Sequence, residues 1–311
     1  MFLAHSAPSE SSFQSCNIRR GFSQNLQPYR TKRLRNSPFI IYQPQTPIKG
    51  HYMESKDQNQ IKKILDHSPR STMRMYELLD PLEEEEVHCY VNNSAVLLVA
   101  WAVMLWAEKE EDLIPLLKFI PTNQPETELF CVENKFIPLL EKHVAPVMVS
   151  ADCYIWTLDK LLEEVPTLHS LTAEDAPFVN DHWDYKFDQS LEFIQHCIQT
   201  MPTSCIRNKE GQPIAMAFCY GQSPHHINMG GFKVLPEHRK QGLGKKVHLD
   251  MCKKVLAQNR KPLVHIKTDN TVSQHICQST NFRRYERVFW GKFDFQRPNI
   301  DPTRQPQANT I

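Results

Sequence analysis

The chain has 311 residues, of which 41% are hydrophobic and 23% charged, and its formal net charge at pH 7 is +1. These values are typical of a globular protein of one or two domains, and the near-zero charge excludes a general affinity for nucleic acids or anionic membranes. The longest apolar run, residues 95–107, is too short to cross a bilayer.

The nine cysteines and fourteen histidines are scattered along the chain. The cysteines form no C-x-x-C pair, which is unlike a disulfide framework or a zinc site and is typical of a reducing compartment. The histidines show neither an H-x-x-x-H nor an H-E-x-x-H spacing, so we predict no bound metal.

Residues 1–55 differ in composition from the rest of the chain, because they are rich in Ser, Gln, Pro and Arg and poor in acids. Such a segment buries too little apolar surface to offset its ordering entropy, so we predict a disordered basic tail. The same composition is found in mitochondrial transit segments; the alternatives are a tail without a targeting role and a true start at Met53. We therefore expect a mitochondrial or cytoplasmic protein. Residues 296–311 are polar and predict a second disordered tail.

Residues 56–165 alternate between strand and helix patterns, which indicates an α/β layer. Residues 94–106 predict one or two buried strands, because they are apolar without polar alternation. The remaining predicted elements are a strand at 128–133 and helices at 113–120, 136–143 and 157–165.

From residue 166 the pattern is more regular. Thr172 and Asp175 form a capping-box motif before a predicted helix, and residues 189–200 predict a second helix. A β-hairpin follows at 203–207 and 213–220, around a turn at 208–211. The later predicted elements are strands at 226–234, 263–267 and 287–295 and helices at 245–258 and 273–280.

The stretch from Val234 to Gly244 reads Val-Leu-Pro-Glu-His-Arg-Lys-Gln-Gly-Leu-Gly and joins a strand to a helix. Such a turn holds phosphate, because the helix presents unpaired N–H groups and a positive dipole end while the glycines let an anion approach. Lys245 and Lys246 lie in the first helical turn, where their charge opposes the dipole unless an anion lies between them. The alternative is an ordinary strand–turn–helix connection with surface lysines.

This order of elements, with its P-x-x-R-x-x-G-x-G turn, resembles the GNAT acyltransferase fold. The blocks Phe193 to Cys205 and Glu210 to Ile214, with the Leu235 to Arg239 turn, are similar to the glycine N-acyltransferase family. The clear resemblance covers about residues 165–295. It implies a mixed-sheet α/β protein with an acyl-CoA-binding GNAT domain at 166–295 and a degenerate GNAT-like domain at 56–165.

The resemblance also implies an activity: transfer of an acyl group from acyl-CoA to the amine of glycine or a related amino acid, with release of CoA. Acyl-CoA would serve as donor substrate without a metal, the partners would be small molecules, and we expect a monomer. The strands at 226–234 and 263–267 would splay to admit the pantetheine arm. A β-bulge at Met229-Gly230-Gly231 would aim an N–H at the thioester oxygen. The expected CoA-binding residues are Val234, Arg239, Lys240, Gln241, Gly242, Leu243, Gly244, Lys245 and Asn270.

The catalytic positions depart from the family pattern. The family places a glutamate base on the strand that is here 226–234; one alignment puts His226 at that position and the gap-free alignment puts Asn228 there. His226 can act as a base, since an unperturbed imidazole titrates near 6.5, and His225 is a weaker candidate. Cys277 occupies the place of the tyrosine that protonates the leaving thiolate in many GNAT enzymes, although a core cysteine is the alternative.

Two other functions fit these departures. The missing glutamate and tyrosine indicate, as one alternative, a non-catalytic acyl-CoA-binding protein. The other is a GNAT enzyme that acts on a different amine, such as a protein lysine, a polyamine or a sphingoid base.

Overall fold

The structure, a computed structural model, describes residue 55 and residues 57–79, 87–122, 127–165 and 167–296. The tails predicted at 1–55 and 296–311 lie outside the described residues, apart from residues 55 and 296 themselves.

In this part of the chain ten strands form one mixed sheet. In chain order they are β1 (His88–Asn92), β2 (Ala95–Val99), β3 (Val103–Ala107), β4 (Glu128–Glu133), β5 (Val147–Thr157), β6 (Thr203–Arg207), β7 (Pro213–Gln222), β8 (His226–Val234), β9 (Lys261–Lys267) and β10 (Arg283–Phe293).

The spatial order of the strands is β1-β2-β3-β4-β10-β5-β9-β8-β7-β6. The N-terminal half (56–165) ends with β5, and the C-terminal half (166–295) ends with β10. Each of these last strands pairs with a strand of the other half: β10 pairs with β4, and β5 pairs with β9. β5 and β10 also pair with each other along their whole length, from Arg283 opposite Thr157 to Phe293 opposite Val147. The sheet is continuous across the predicted domain boundary at 165/166.

Seven α-helices cover the sheet in the described residues. They are α1 (Gln58–Leu65), α2 (Glu110–Leu113), α3 (Ile137–His143), α4 (Ala176–His182), α5 (Ser190–Thr200), α6 (Leu243–Leu256) and α7 (Thr271–Ser279). Short 3₁₀ helices include Met73–Leu78, which packs against β7.

The C-terminal half has a hydrophobic cluster on each face of the sheet, because alternate residues of a strand point to opposite faces. In β7, Ala217 and Cys219 pack with α6 and α7. Met216 and Phe218 pack on the other face with α4 and α5. The helix predicted at 245–258 is confirmed as α6, and Val247, Met251 and Val255 are among its buried residues.

The N-terminal half has a single larger core. Every residue of β2 and β3 is buried, which confirms the prediction of buried strands at 94–106. This core continues into the exchanged strand β10, where Phe289 and Val288 are fully buried within the same cluster. The two halves therefore share apolar surface as well as hydrogen bonds.

Most predicted elements are confirmed, but the helix expected at 157–165 is wrong. Thr157 is the last residue of β5, and its hydroxyl donates to the carbonyl oxygen of Pro262 over 2.8 Å. The Leu158 N–H donates to the same oxygen, and Asp159 pairs with Lys261. These contacts hold the start of the segment against β9, and the residues that follow form no helix. The strand β5 itself was not predicted, because its first half is exposed and shows no hydrophobic pattern.

The eight cysteines in the described residues are all buried, and none forms a disulfide with another described residue. No helix of the described chain combines the length and apolar character needed to cross a membrane.

The shared core predicts that the two halves unfold together. We expect Phe289→Ala to lower the free energy of unfolding by about 3–5 kcal/mol, because it leaves a cavity where β10 joins β4 and β5. Urea unfolding followed by circular dichroism should show one transition. The exposed neighbour Lys292 gives the control, since Lys292→Ala should change stability by less than about 0.5 kcal/mol. Two separate transitions in Phe289→Ala, one unshifted from the wild type, would contradict a shared core.

Candidate functional site

The parallel strands β8 and β9 separate in the middle of the C-terminal half. They pair only at His226 with Lys261, Ile227 with Pro262 and Asn228 with Leu263. Beyond Asn228, β8 continues along β7 and β9 continues along β5. The predicted splay is therefore confirmed, and the facing edges beyond Asn228 present backbone groups that do not pair with each other.

A β-bulge distorts β8 just beyond the point of separation. Phe218 pairs with Gly230 and Met216 with Lys233, so Gly231 and Phe232 together lie opposite one residue of β7. Gly231 has φ +57°, and a β-carbon there would lie 2.1 Å from the Phe218 ring. Its neighbour Gly230 is equally confined by the Tyr220 ring. The bulge predicted from the paired glycines is confirmed.

A second bulge, in β7, lies opposite the last paired residue of β8. Cys219 pairs with Met229 and Gln222 with Ile227, so Tyr220 and Gly221 together face Asn228. Burial raises the pKa of Tyr220 to about 12, and the charge of Arg74 and then the side-chain amide of Asn228 oppose that rise. Asn228 therefore lies between β7 and the open end of the splay.

The loop after β8 has the geometry expected of a phosphate-binding turn. Lys240 and Gly242 adopt left-handed conformations with φ +60° and +73°, and Gly242 is the N-cap of α6. The Arg239 Nε–H donates to the Val234 carbonyl oxygen over 3.1 Å, which ties the loop to the end of the strand. The first N–H groups of α6 lack helical partners, so this helix end attracts an anion.

Four more of the predicted CoA-binding residues lie in this loop or at the start of α6, and a fifth, Asn270, precedes α7. A β-carbon at Gly244 would make only ordinary contacts, the nearest at 3.6 Å from Val234, so protein packing does not require glycine there. The Lys245 Nζ lies 3.8 Å from Glu163. Asn270 caps α7, and its Oδ1 accepts a hydrogen bond from the Ser273 N–H over 3.1 Å. Leu243 begins α6 and Gln241 precedes its N-cap. Their roles toward CoA stay predictions.

A polar chain runs across the splay from Asn228. The Asn228 Oδ1 lies 3.2 Å from His265 Nδ1, and His265 Nε2 lies 3.5 Å from Cys131 Sγ. A carboxamide oxygen only accepts, so Nδ1 carries the proton and the Cys131 thiol donates to Nε2. Burial, aided by the charge of Arg74, lowers the pKa of His265 to about 3. Burial raises the pKa of Cys131 well above its usual range, so this thiol is not a ready nucleophile.

The two residues considered for the catalytic base lie in different places. Asn228 is the last residue paired across the splay, whereas His226 is two residues earlier, in the paired region. His226 is buried, and its backbone N–H donates to Ser223 Oγ over 3.0 Å. Burial, then the charges of His225, Lys261 and Arg70, lowers its pKa to about 4. His225 is exposed and pairs with Asp66 over 2.8 Å. The geometry favours the gap-free alignment.

Cys277 lies on α7 within the apolar cluster beneath β7 and β8. It is 2% exposed, and burial raises its pKa to about 12. Its role as proton donor stays a prediction, which this environment does not favour.

Sequence reasoning missed two charged residues that lie over the second bulge. Arg74 and Glu77 come from the 3₁₀ helix Met73–Leu78 of the N-terminal half. The Arg74 Nη1–H donates to the Tyr220 carbonyl oxygen over 3.0 Å, and Nη1 lies 2.7 Å from Glu77 Oε1. Arg74 also lies 5.2 Å from the Phe130 ring centre. No local signal marks them, because the contact joins residues 146 positions apart.

Solved structures resemble this architecture across both halves. The X-ray structure of a Drosophila melanogaster protein aligns with a TM-score of 0.56 at 18% identity, covering 77% of this chain and 88% of that one. An acetyltransferase of the GNAT family from Colwellia psychrerythraea gives 0.54 at 16% identity, with 78% and 98% covered. A tandem GNAT protein from the clavulanic acid biosynthesis pathway gives 0.50 at 12% identity, with 77% and 97% covered. The chain thus has the GNAT fold.

Sequence comparisons show which proteins with this fold the chain resembles in sequence. The model of the family described as FR47-like protein matches residues 206–291. Glycine N-acyltransferase of Bos taurus is 29% identical over 119 residues, which are 38% of this chain and 39% of that protein. The Homo sapiens glycine N-acyltransferase is 34% identical over 82 residues, 26% of each chain. The matches therefore span less than two fifths of these relatives. The predicted resemblance to glycine N-acyltransferase-like proteins is confirmed.

The bulge on β8 predicts that Gly231 tolerates no side chain. We expect Gly231→Ala to lower the free energy of unfolding by about 2–4 kcal/mol, because it adds a steric overlap with Phe218 to the cost of a positive φ. Gly211 is the matched control: it has φ +86° but open space around it, so Gly211→Ala should cost only about 1–2 kcal/mol. Equal losses in urea unfolding would show that Phe218 does not confine Gly231.

Proposed function

We propose that the protein is an acyl-CoA-dependent N-acyltransferase that moves an acyl group to the amine of glycine or a related amino acid and releases CoA. One combination of features carries this proposal: the splay beyond Asn228 and the bulge at Gly231 lead directly into the turn that begins α6. The likeness of this segment to glycine N-acyltransferases supports the choice of acceptor.

CoA binding would use groups at two places. The pyrophosphate would lie at the start of α6, where N–H groups of residues 241–245 and the helix dipole favour an anion. Arg239 would act mainly through the loop, since its Nε–H holds the Val234 carbonyl oxygen. The pantetheine arm would extend between β8 and β9, where its amides can pair with the backbone groups that the strands leave unpaired.

The bulged backbone of β8 would stabilise the developing oxyanion. When an amine attacks the thioester, negative charge moves onto the carbonyl oxygen, and a fixed N–H beside it stabilises the transition state. The rings of Phe218 and Tyr220 fill the space over both glycines, which would keep residues 229–231 in place for this role. The CoA thiolate is the leaving group, and Cys277 would have to leave the apolar core to protonate it.

A non-catalytic acyl-CoA-binding protein is the second candidate, and one observation favours it. The residue of β8 that faces the splay is Asn228, and a carboxamide cannot take a proton from an ammonium group. A GNAT enzyme for another amine is the third, since the matched segment covers only part of each glycine N-acyltransferase. The compartment, mitochondrial or cytoplasmic, stays a prediction.

Release of free thiol from acyl-CoA tests these functions. We expect thiol release that depends on added glycine or another amino acid, and mass spectrometry should find the N-acyl product. Arg239→Ala should remove most of the thermal stabilisation given by CoA, because the loop loses its tie to Val234. Lys209→Ala, an exposed change in the hairpin turn, is the control and should leave that stabilisation unchanged.

Stabilisation by CoA without thiol release from any amine would support the binding protein instead. Release with polyamines or peptide lysines alone would support the third function. If CoA does not stabilise the wild type, the common premise of all three is wrong.

A further inference from the structure

One carboxyl group lies over the bulge of β7 that faces Asn228, the position where the family pattern places a glutamate base. Glu77, from the 3₁₀ helix Met73–Leu78, packs on β7 at the bulge formed by Tyr220 and Gly221. A β-carbon at Gly221 would lie 2.0 Å from Glu77 Oε1 and 2.4 Å from Arg74 Nη1, so only glycine lets the pair approach the strand this closely. Across the strand pair, the bulge faces Asn228.

The position of Glu77 is therefore fixed relative to the splay. The helix that carries it is held by Thr72, whose hydroxyl oxygen lies 2.8 Å from the Leu65 carbonyl oxygen and 2.9 Å from that of Ser68, and it donates its one proton to this pair of acceptors. Arg74 ties the same helix to β7 through the Tyr220 carbonyl oxygen. The side chain of Glu77 is 16% exposed, while its Oε1 is buried against Arg74.

The charges around Glu77 come from several elements. The titratable groups that interact with Glu77 or with its partner are Arg74 on its own helix, Cys131 on β4, Cys197 on α5, Tyr220 on β7 and His265 on β9. Both thiols and the phenol have raised pKa values and His265 has a lowered one, so Arg74 is the one group of this set that is charged at pH 7. Among the described groups that act on the pKa of Glu77, Arg74 is the cationic partner.

This environment suits a proton acceptor at neutral pH. Burial raises the pKa of Glu77 to about 7, although the charge of Arg74 opposes the rise. Every other described carboxyl group with a resolved shift, such as Asp175 and Glu286, has a lowered pKa. A base is most effective when its pKa lies near the working pH. His226 and His265, with pKa values of about 4 and 3, are much weaker bases.

We infer that Glu77 of the N-terminal half is the general base of the C-terminal acyl-CoA site, in place of the carboxylate that Asn228 lacks. The inference rests on the proposed function and adds to it a catalytic residue from outside the segment that resembles glycine N-acyltransferases. The two halves then form one active site.

In the proposed acyl transfer, the acceptor nitrogen loses two protons and a C–N bond replaces the C–S bond of the thioester. The Glu77 carboxylate takes one proton from the ammonium group of the acceptor, which leaves a neutral amine with a lone pair. The amine nitrogen attacks the thioester carbonyl carbon, so a C–N bond forms, and the C–S bond then breaks as the carbonyl is restored. The CoA thiolate takes the second nitrogen proton, and Glu77 returns the first proton to solvent.

The test compares an acceptor that needs a base with one that does not. Glycine is an ammonium at pH 7, whereas aminooxyacetate has the same carboxylate and an amine that is already neutral. With saturating acyl-CoA, Glu77→Gln should lower kcat for glycine by about 10²–10⁴-fold and change kcat for aminooxyacetate less than tenfold. Glu77→Asp should keep part of the glycine activity. Glu192→Gln makes the same change on an exposed face of α5 and should match the wild type.

The pH profile gives a second readout. In the wild type, kcat/KM for glycine should rise with pH and bend near pH 7, because Glu77 must be deprotonated to accept a proton. The bend should be absent in Glu77→Gln, and CoA should stabilise that variant as it does the wild type.

Equal losses with both acceptors, or unchanged glycine activity in Glu77→Gln, would overturn the role of Glu77 while leaving the proposed function intact. A wild type that transfers acyl groups to no amine would overturn the proposed function itself. If Glu77→Gln does not fold, the pH profile of Glu77→Asp decides, since a profile without the bend near pH 7 would contradict the inference.

Discussion

The exchange of the last strands, β5 and β10, is the constraint on which the rest of the structure depends. Their eleven-residue ladder joins two four-stranded groups into one sheet. It also determines what surrounds the candidate site, because β5 is the strand that supports β9 on the side away from the splay. Where the parallel strands β8 and β9 separate, each must be held in the sheet by the strand on its other side. For β8 that strand is β7, and for β9 it is β5, which comes from the N-terminal half.

The same exchange explains why charged groups of one half lie over the sheet of the other. With β4 and β5 on either side of β10, the N-terminal core continues to the middle of the sheet, and the helix carrying Arg74 and Glu77 reaches β7. Burial of an arginine at 3% side-chain exposure is costly unless it is paired. Glu77, the Tyr220 carbonyl oxygen and the Phe130 ring provide those partners, so the pair is held in a defined place.

The parts of the site that follow from local chemistry could be predicted from sequence. Two adjacent glycines in a strand predicted the bulge at Gly231, and the Arg-and-glycine stretch predicted a turn that opens a helix, where Gly242 is the N-cap of α6. Contacts made by distant residues could not be predicted, which is why Arg74, Glu77 and His265 were missed. β5 was missed for a related reason, since its residues are ordered by pairing with β9 and β10 rather than by their own pattern. The segment after it has leucines at helical spacing, yet Leu162 is 65% exposed and the Leu158 N–H donates to the Pro262 carbonyl oxygen instead of joining a helix.

A crystal structure with an acyl-CoA analogue bound is the most direct test of the central claim, that the splay of β8 and β9 is an acyl-CoA site. We predict the pyrophosphate at the N-terminus of α6, the pantetheine arm between β8 and β9, and the thioester oxygen within hydrogen-bond distance of a backbone N–H at residues 229–231. A nucleotide bound elsewhere, or a pantetheine arm that lies outside the splay, would contradict the account.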